Sequence, residues 1–226
     1  MALVDDHPSR RRVLRLSGLA AAAWSARSLG LSDAFAQALV QTPAQTEGPF
    51  YPDHLPLDRD NDLVLVEPGQ TLAGGEVTHL SGRVLSQAGS PLRGVTVEIW
   101  QVDSHGVYLH SRSGNTERGR DALFQGFGRF ETSSTGEYRF RTIKPVPYPG
   151  RTPHIHFKVK RGDRDLLVTQ CYIKGDPKNA NDGVLRGITD ARARESVMVD
   201  FVPIPGDKAG ALSARFDIVL GVTPSE

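Results

Sequence analysis

The chain of 226 residues is long enough for one ordinary domain with a substantial core. A formal net charge of +1 excludes the basic field that nucleic-acid or anionic-membrane partners require, and the single cysteine, Cys171, excludes an intrachain disulfide. The 23 Gly and 15 Pro suit a chain that turns often between short strands.

The first 36 residues read as an export signal. Ser9-Arg-Arg-Arg-Val-Leu-Arg15 is a charged start with adjacent arginines, Leu16 to Trp24 is a short alanine-rich apolar run, and Ala34-Phe-Ala36 is a cleavage pattern. The pattern predicts a twin-arginine-type signal cut after Ala36 and a periplasmic or secreted destination. Arg27 stops the apolar run short of the ~20 residues a spanning helix needs. No integral membrane segment is expected in the mature chain.

Residues 37–60 form an irregular arm. Thr46-Glu-Gly-Pro-Phe-Tyr-Pro-Asp53 carries too much Gly and Pro for a helix or a central strand, and Phe50 and Tyr51 are its natural anchors. From residue 61 to 226 the signals are those of one β domain. Val77 to Leu85 is a strand, Gln87-Ala-Gly-Ser-Pro91 a turn, and Val95, Val97 and Ile99 alternate with Thr96, Glu98 and Trp100. Asp103-Ser-His-Gly106 is a turn with Tyr108 just beyond it. Phe124 to Phe130 is interrupted by glycine, and Gly136 to Ile143 alternates again.

Leu166 to Ile173, Val197 to Val202 and Arg215 to Leu220 supply further strands. Asn179 to Arg194 is the one helical stretch, weakened by Gly183 and Gly187. The predicted architecture is all-β: an antiparallel β-sandwich core with long connecting loops. Cys171 reads as a small apolar strand residue and Trp100 as packing, while His79, His105 and His110 read as turn or surface residues.

One stretch organises the rest, from Pro145 to Arg161. A proline-rich loop carrying Tyr148 runs into a strand that begins at His154. Successive strand side chains point to opposite faces, so His154, His156 and Lys158 share one face and Ile155, Phe157 and Val159 the other. With the apolar trio in the core, both imidazoles point under the loop. Pro147 and Pro149 leave Tyr148 little backbone freedom. Histidines at this spacing can share one metal ion, and imidazole suits Zn, Cu, Fe or Ni alike. Such pairs also occur as satisfied core or surface residues.

Leu80-Ser-Gly-Arg-Val-Leu85, Pro91 to Gln101, Gly106-Val-Tyr-Leu-His110, Gly136 to Pro145, Pro147-Tyr-Pro149, Arg151-Thr-Pro-His-Ile-His-Phe157 and Thr169 to Pro177 occur in one order. In this series the chain resembles the intradiol ring-cleavage dioxygenases over roughly Thr46 to Leu220. The resemblance implies a non-haem Fe(III) cofactor held by Tyr108, Tyr148, His154 and His156, with Tyr108 and His154 equatorial. It implies that Tyr148 gives way to substrate, that Arg151 stabilises charge developing on the ring, and that Gln170 lies near the substrate. The implied reaction opens a catechol-type ring between its two hydroxyl-bearing carbons with O2, giving a cis,cis-muconate-type diacid.

Two departures bear on substrate and assembly. Gly150 follows Tyr148-Pro149 where protocatechuate enzymes carry a tryptophan, and the link from Tyr148 to His154 is shorter. A homo-oligomer is compatible with the resemblance, but the helical N-terminal dimerisation region of catechol 1,2-dioxygenases has no counterpart. Two competing readings are a non-catalytic β-sandwich binding domain on the same scaffold and a zinc or copper enzyme using His154 and His156. Two tyrosines in place of carboxylate, cysteine or a third histidine speak against the latter.

Overall fold

A computed structural model describes residues 39–65, 71–114 and 117–221. The export segment expected over residues 1–36 lies outside the described residues. Among those described, no helix is long and apolar enough to cross a membrane.

Two five-stranded sheets form the body. In the first, the long β1 (Val77–Ser86) pairs antiparallel with β4 (Glu137–Ile143) and parallel with β9 (Leu212–Arg215) and β10 (Ile218–Leu220), and β8 (Phe201–Pro203) lies against β9. The second runs in the order β3 (Phe127–Glu131), β2 (Thr96–Trp100), β5 (His154–Arg161), β6 (Arg164–Ile173) and β7 (Met198–Val199). The all-β sandwich read from the sequence is therefore present. Its sheets are mixed, because β1–β9, β1–β10 and β6–β7 are parallel pairs.

The main core lies between the sheets. Leu80, Val84, Tyr138 and Phe140 of the first meet Val97, Ile99, Ile155, Phe157 and Val159 of the second. Phe157 is fully buried and packs edge-on against Tyr138 and Phe216, with ring centres 6.0 and 5.0 Å apart. The alternation expected of β5 thus holds for its apolar half. A second, smaller cluster of Trp100, Val102, Tyr108 and Phe127 covers the other face of the same sheet.

Three segments are cut more finely than the sequence pattern suggests. The stretch Val197 to Val202 divides because β7 joins β6 while β8 joins β9, so the chain changes sheets there. Arg215 to Leu220 divides at Phe216, whose carbonyl accepts from Tyr138 Oη. The helical stretch expected over Asn179 to Arg194 becomes a 3₁₀ turn (Pro177–Asn181) followed by the short helices α1 (Gly183–Arg186) and α2 (Ala191–Ser196). Asp182 and Asp190 cap α1 and α2 with their side chains in extended backbone geometry, and each cap ends whatever helix precedes it.

Removing Phe157 leaves a cavity between the sheets. Phe157→Ala is expected to lower the unfolding free energy by about 3–5 kcal/mol, read from the urea midpoint. A loss under about 1 kcal/mol would contradict the inter-sheet packing described here.

Candidate metal centre

The pairing of β5 with its neighbours determines what stands beside the histidines. Trp100 of β2 and Gln170 of β6 are the partners of His156, and Tyr172 is the partner of His154. All of these side chains therefore share the face turned away from the main core. The arm then covers that face. Gln45 donates to Thr169 Oγ1 and to the Gln170 carbonyl, and Phe50 stacks on Tyr108 at 5.0 Å. Tyr51 meets Trp100 edge-on at 5.0 Å. Gly48, at φ +72, runs past His156 at a distance where a Cβ would stand 3.6 Å from the ring. His154 and His156 are each only 2% exposed, an enclosure that a strand with one open face could not provide.

Tyr108 reaches the same spot from the loop after β2. Buried Asp103 organises that loop: Oδ1 accepts from the backbone of His105 and Val107, and Oδ2 accepts from Asp121. Tyr148 comes from a tight turn in which the Arg151 backbone N–H donates to the Tyr148 carbonyl at 3.0 Å. Pro149 and Gly150 occupy the two central positions. Gly150, at φ +82, supplies the positive angle that a type II turn requires at its third residue. The turn brings Tyr148 and Arg151 onto one edge of the site.

Three polar atoms converge. Tyr108 Oη lies 3.2 Å from His154 Nε2 and 2.9 Å from His156 Nε2, and the two nitrogens are 3.2 Å apart. The Tyr148 ring is adjacent, its centre 5.4 Å from that of Tyr108 and 5.6 Å from that of His154. Among the described residues no three His, Cys, Asp or Glu side chains gather in this way, so the tyrosines are essential to the set.

Proton accounting shows what the triangle can hold. The Thr152 carbonyl lies 2.7 Å from His154 Nδ1, so Nδ1 carries the hydrogen and Nε2 of the neutral ring presents a bare lone pair. Burial, reinforced by the Arg151 charge, lowers His154 to about 4. Burial, then the charges of His154 and Arg151, holds His156 well below the usual range. Both rings are therefore neutral at pH 7, the form that binds metals. Tyr108 brings one proton and His156 Nε2 at most another, so at least one of the three edges has no hydrogen of its own, and with His156 protonated at Nδ1 the two Nε2 lone pairs face each other. His156 Nδ1, meanwhile, is buried without a protein partner. A cation at the centre would accept a lone pair from each of the three atoms and need none of those hydrogens. The His154 Nδ1–H bond to a carbonyl is also the orienting contact that metal-bound histidines ordinarily make. Tyr108 is pushed well above its usual range by burial and by Tyr148, so a strong Lewis acid is needed to ionise it.

Arg151 and Gln170 stand at different depths beside this triangle. Arg151 Nη1 lies 3.5 Å from Tyr148 Oη. Burial alone would lower the pKa of Arg151, but its bond to Asp182 raises it. Tyr148 and Arg151 line a cleft of about 460 Å³, bounded by the Pro147–Thr152 segment and by Lys178, Asn181 and Asp182. Gln170 is fully buried behind Arg151 and does not line that cleft. Its Oε1 accepts from Arg151 Nη2 and Tyr172 Oη, and its Nε2 donates to the Thr46 carbonyl. Trp100, expected as packing, lies flat on His156 at 4.7 Å and 10°. His79, His105 and His110 stand apart from the triangle: His79 is exposed, His105 Nδ1 contacts the Gly119 carbonyl, and His110 Nδ1 accepts from the Arg112 backbone.

Against this geometry the relatives are informative. A family profile described as Dioxygenase matches residues 46–221. Over 183 residues the chain is 39% identical to the protocatechuate 3,4-dioxygenase beta chain of Burkholderia cepacia, covering 76% of each chain. This chain belongs to the intradiol ring-cleavage dioxygenase family. The hydroxyquinol 1,2-dioxygenase of Corynebacterium glutamicum is 29% identical over 206 residues, and the alignment spans 79% of this dioxygenase but only 63% of that one. The dioxygenase domain of a dioxygenase–carbohydrate-binding fusion from Streptomyces sp. SirexAA-E superposes with a TM-score of 0.62 at 30% identity. It covers 81% of this chain and 100% of that domain.

Two parts of the site carried no signal in the sequence. Asp182 sits in a polar Asn-Asp-Gly run that offers nothing to mark it, and Tyr172 reads as one more strand aromatic. Only the register of β5 on β6 and the return of the chain after the 3₁₀ turn bring them to Arg151 and Gln170.

The histidines also make the metal-free dioxygenase acid-sensitive. Unfolded, His154 takes up a proton below its usual 6.5, whereas folded it stays neutral down to about 4. Stability is therefore full above pH ~6.5 and falls as the pH drops towards 4, with His154 alone contributing roughly 3 kcal/mol across that gap. Urea midpoints of the metal-free protein should fall between pH 7 and pH 4.5. A flat or rising profile would contradict the buried, neutral imidazoles.

Proposed function

We propose that this intradiol dioxygenase is a non-haem iron(III) enzyme acting on an ortho-diphenol. It opens the ring between the two hydroxyl-bearing carbons with O2 to give a cis,cis-muconate-type diacid. The observation that carries the reading is the convergence of Tyr108 Oη, His154 Nε2 and His156 Nε2 within 3.2 Å of one another, with Tyr148 and Arg151 at the open edge. Two anionic phenolate oxygens and two neutral nitrogens form a donor set that favours a trivalent over a divalent iron, unlike the two-histidine, one-carboxylate set of iron(II) oxygenases. Ferric iron held by Tyr108, Tyr148, His154 and His156 would supply the Lewis acidity that ionises the phenols and activates a bound diphenol.

The chain's own residues account for the rest. Tyr108, buried and stacked on Phe50, stays fixed, whereas half-buried Tyr148 on its turn borders the cleft and is free to yield its place. In this reading Tyr148 Oη, ionised in the loaded protein, takes one of the two protons that a diphenol loses on binding, and the other passes to solvent through the cleft. Arg151 Nη1 faces the same edge, where a fixed cation lowers the energy of negative charge arising on the ring during reaction. Trp100, Phe50 and Tyr51 keep water from the histidine side of the site. Both atoms of O2 enter the product, so no external reductant is required. The twin-arginine-type segment supports a further proposal, that the folded, metal-loaded protein is exported.

Purified protein loaded with ferric iron is expected to be red from phenolate-to-iron charge transfer. It should change colour with a catechol under anaerobic conditions and consume one O2 per diphenol when air is admitted. A colourless protein that refuses iron would overturn the reading. Tyr108→Phe and His156→Ala are each expected to lower iron occupancy, measured by elemental analysis. Unchanged occupancy in both would remove them from the ligand set.

A further inference from the structure

The guanidinium of Arg151 is gripped from behind and free in front. Nε donates to Asp182 Oδ2 at 2.8 Å and Nη2 donates to Gln170 Oε1 at 2.6 Å, while Nη1 is left facing Tyr148. The first acceptor is itself immobile. The Asp182 side chain is 0% exposed. Oδ2 also accepts from the Thr152 backbone at 3.0 Å, and Oδ1 accepts from the backbone of Val184 and Leu185 at 3.0 and 2.9 Å. Four donors thus occupy one carboxylate, two on each oxygen, and one of those pairs is the cap of α1.

From this geometry we infer that Asp182 is the positioning residue that aims Arg151 at the reacting ring. It acts through the arginine and does not touch substrate chemistry itself. The inference rests on the dioxygenase reading for what Arg151 does, and it adds a residue that the reading does not use. A buried arginine–carboxylate pair gains little net stability, because desolvation offsets most of the attraction. Its consequence here is geometric. An arginine head on four rotatable bonds has many places to be, and a cation stabilises developing charge only where it already points. The turn at Pro149-Gly150 fixes the root of the side chain, Asp182 and Gln170 fix its head, and a single nitrogen remains directed at the site.

A rival route exists and must be separated. The Thr152 N–H bonds to Asp182, and the Thr152 carbonyl accepts from His154 Nδ1, so the same carboxylate stands two hydrogen bonds from a candidate metal ligand. Asn is a poor probe, since its amide offers one acceptor oxygen to four donors and sets an NH2 group against one pair. Ser is better. It caps helices about as well as Asp, which preserves α1, but it is too short to reach Arg151.

The experiment is a double-mutant cycle on the iron-loaded full chain with a catechol substrate. Asp182→Ser is expected to lower kcat about 10–100-fold, the scale of a misaimed catalytic group, with iron content and the visible band as in the unaltered protein. In an Arg151→Ala background the same substitution should change kcat less than about threefold, because the residue it acts through is gone. An equal loss in both backgrounds, or a displaced visible band, would overturn the inference in favour of the Thr152–His154 route. A second readout needs no activity: the Arg151 Nε–H signal of the metal-free protein should exchange slowly with solvent, and quickly in Asp182→Ser. Should Asp182→Ser not fold, Asp182→Thr, a second short helix cap that does not reach Arg151, serves for this exchange measurement. Equal exchange in variant and parent would sink the inference outright. If the parent protein loads iron yet cleaves no diphenol, the dioxygenase reading fails, while exchange still decides whether Asp182 holds the guanidinium.

Discussion

Strand β5 is buried on both faces, and everything else in the molecule follows from how the two burials differ. Ile155, Phe157 and Val159 enter the apolar layer between the sheets. His154 and His156 point the other way, into a compartment closed by the arm, by Trp100 and by the loops bearing Tyr108 and Tyr148. The first burial fixes the strand; the second takes the imidazoles out of water and keeps them neutral. A fixed strand holding two neutral nitrogens about a hydrogen-bond length apart, with oxygen donors beside them, has the donor types the proposed metal site calls for. Phe157 and His156 are thus neighbours in sequence with opposite tasks.

Behind the converging atoms stands a continuous polar network. Gln45, Tyr172 and Gln170 connect by hydrogen bonds to Arg151, which connects to Asp182, which connects through Thr152 to His154. In a low-dielectric interior such a chain is rigid only if each member is satisfied, and here nearly every donor and acceptor finds its partner. The arm is part of this network and more than a cover, since the Thr46 carbonyl holds Gln170 and Gln45 spans two positions of β6. The charged layer beyond it continues the pattern. Lys158, on the histidine face, pairs with Glu47 of the arm and sits 4.0 Å over the Tyr51 ring.

Much of this was legible in the residues themselves, for reasons that are local. The period of two along β5 separates histidines from apolar side chains without knowledge of any partner strand. The prolines around Tyr148 announce a stiff loop, and the alternation in β4 survives, whereas β2 is buried from Val97 to Trp100 because both of its faces are covered. What escaped is what depends on chain returns. The short strands after Val197 look like one because nothing in their sequence says that β7 and β8 serve different sheets. The stretch from Asn179 to Arg194 looks like one weakened helix because a capping aspartate and an interior one differ only in where the backbone turns. Asp182 shows the same limit at the site: its four hydrogen bonds join residues about thirty positions apart with its own helix. Trp100 reads as packing, which it is, but its flat contact with His156 comes from cross-strand register alone.

The central claim is that two phenols and two imidazoles hold one ferric ion in this compartment. It is tested most directly by crystals of the iron-loaded protein measured on either side of the iron absorption edge. The account predicts a single anomalous peak bounded by Tyr108, Tyr148, His154 and His156. A peak elsewhere, or none from protein that retains iron in solution, would contradict it.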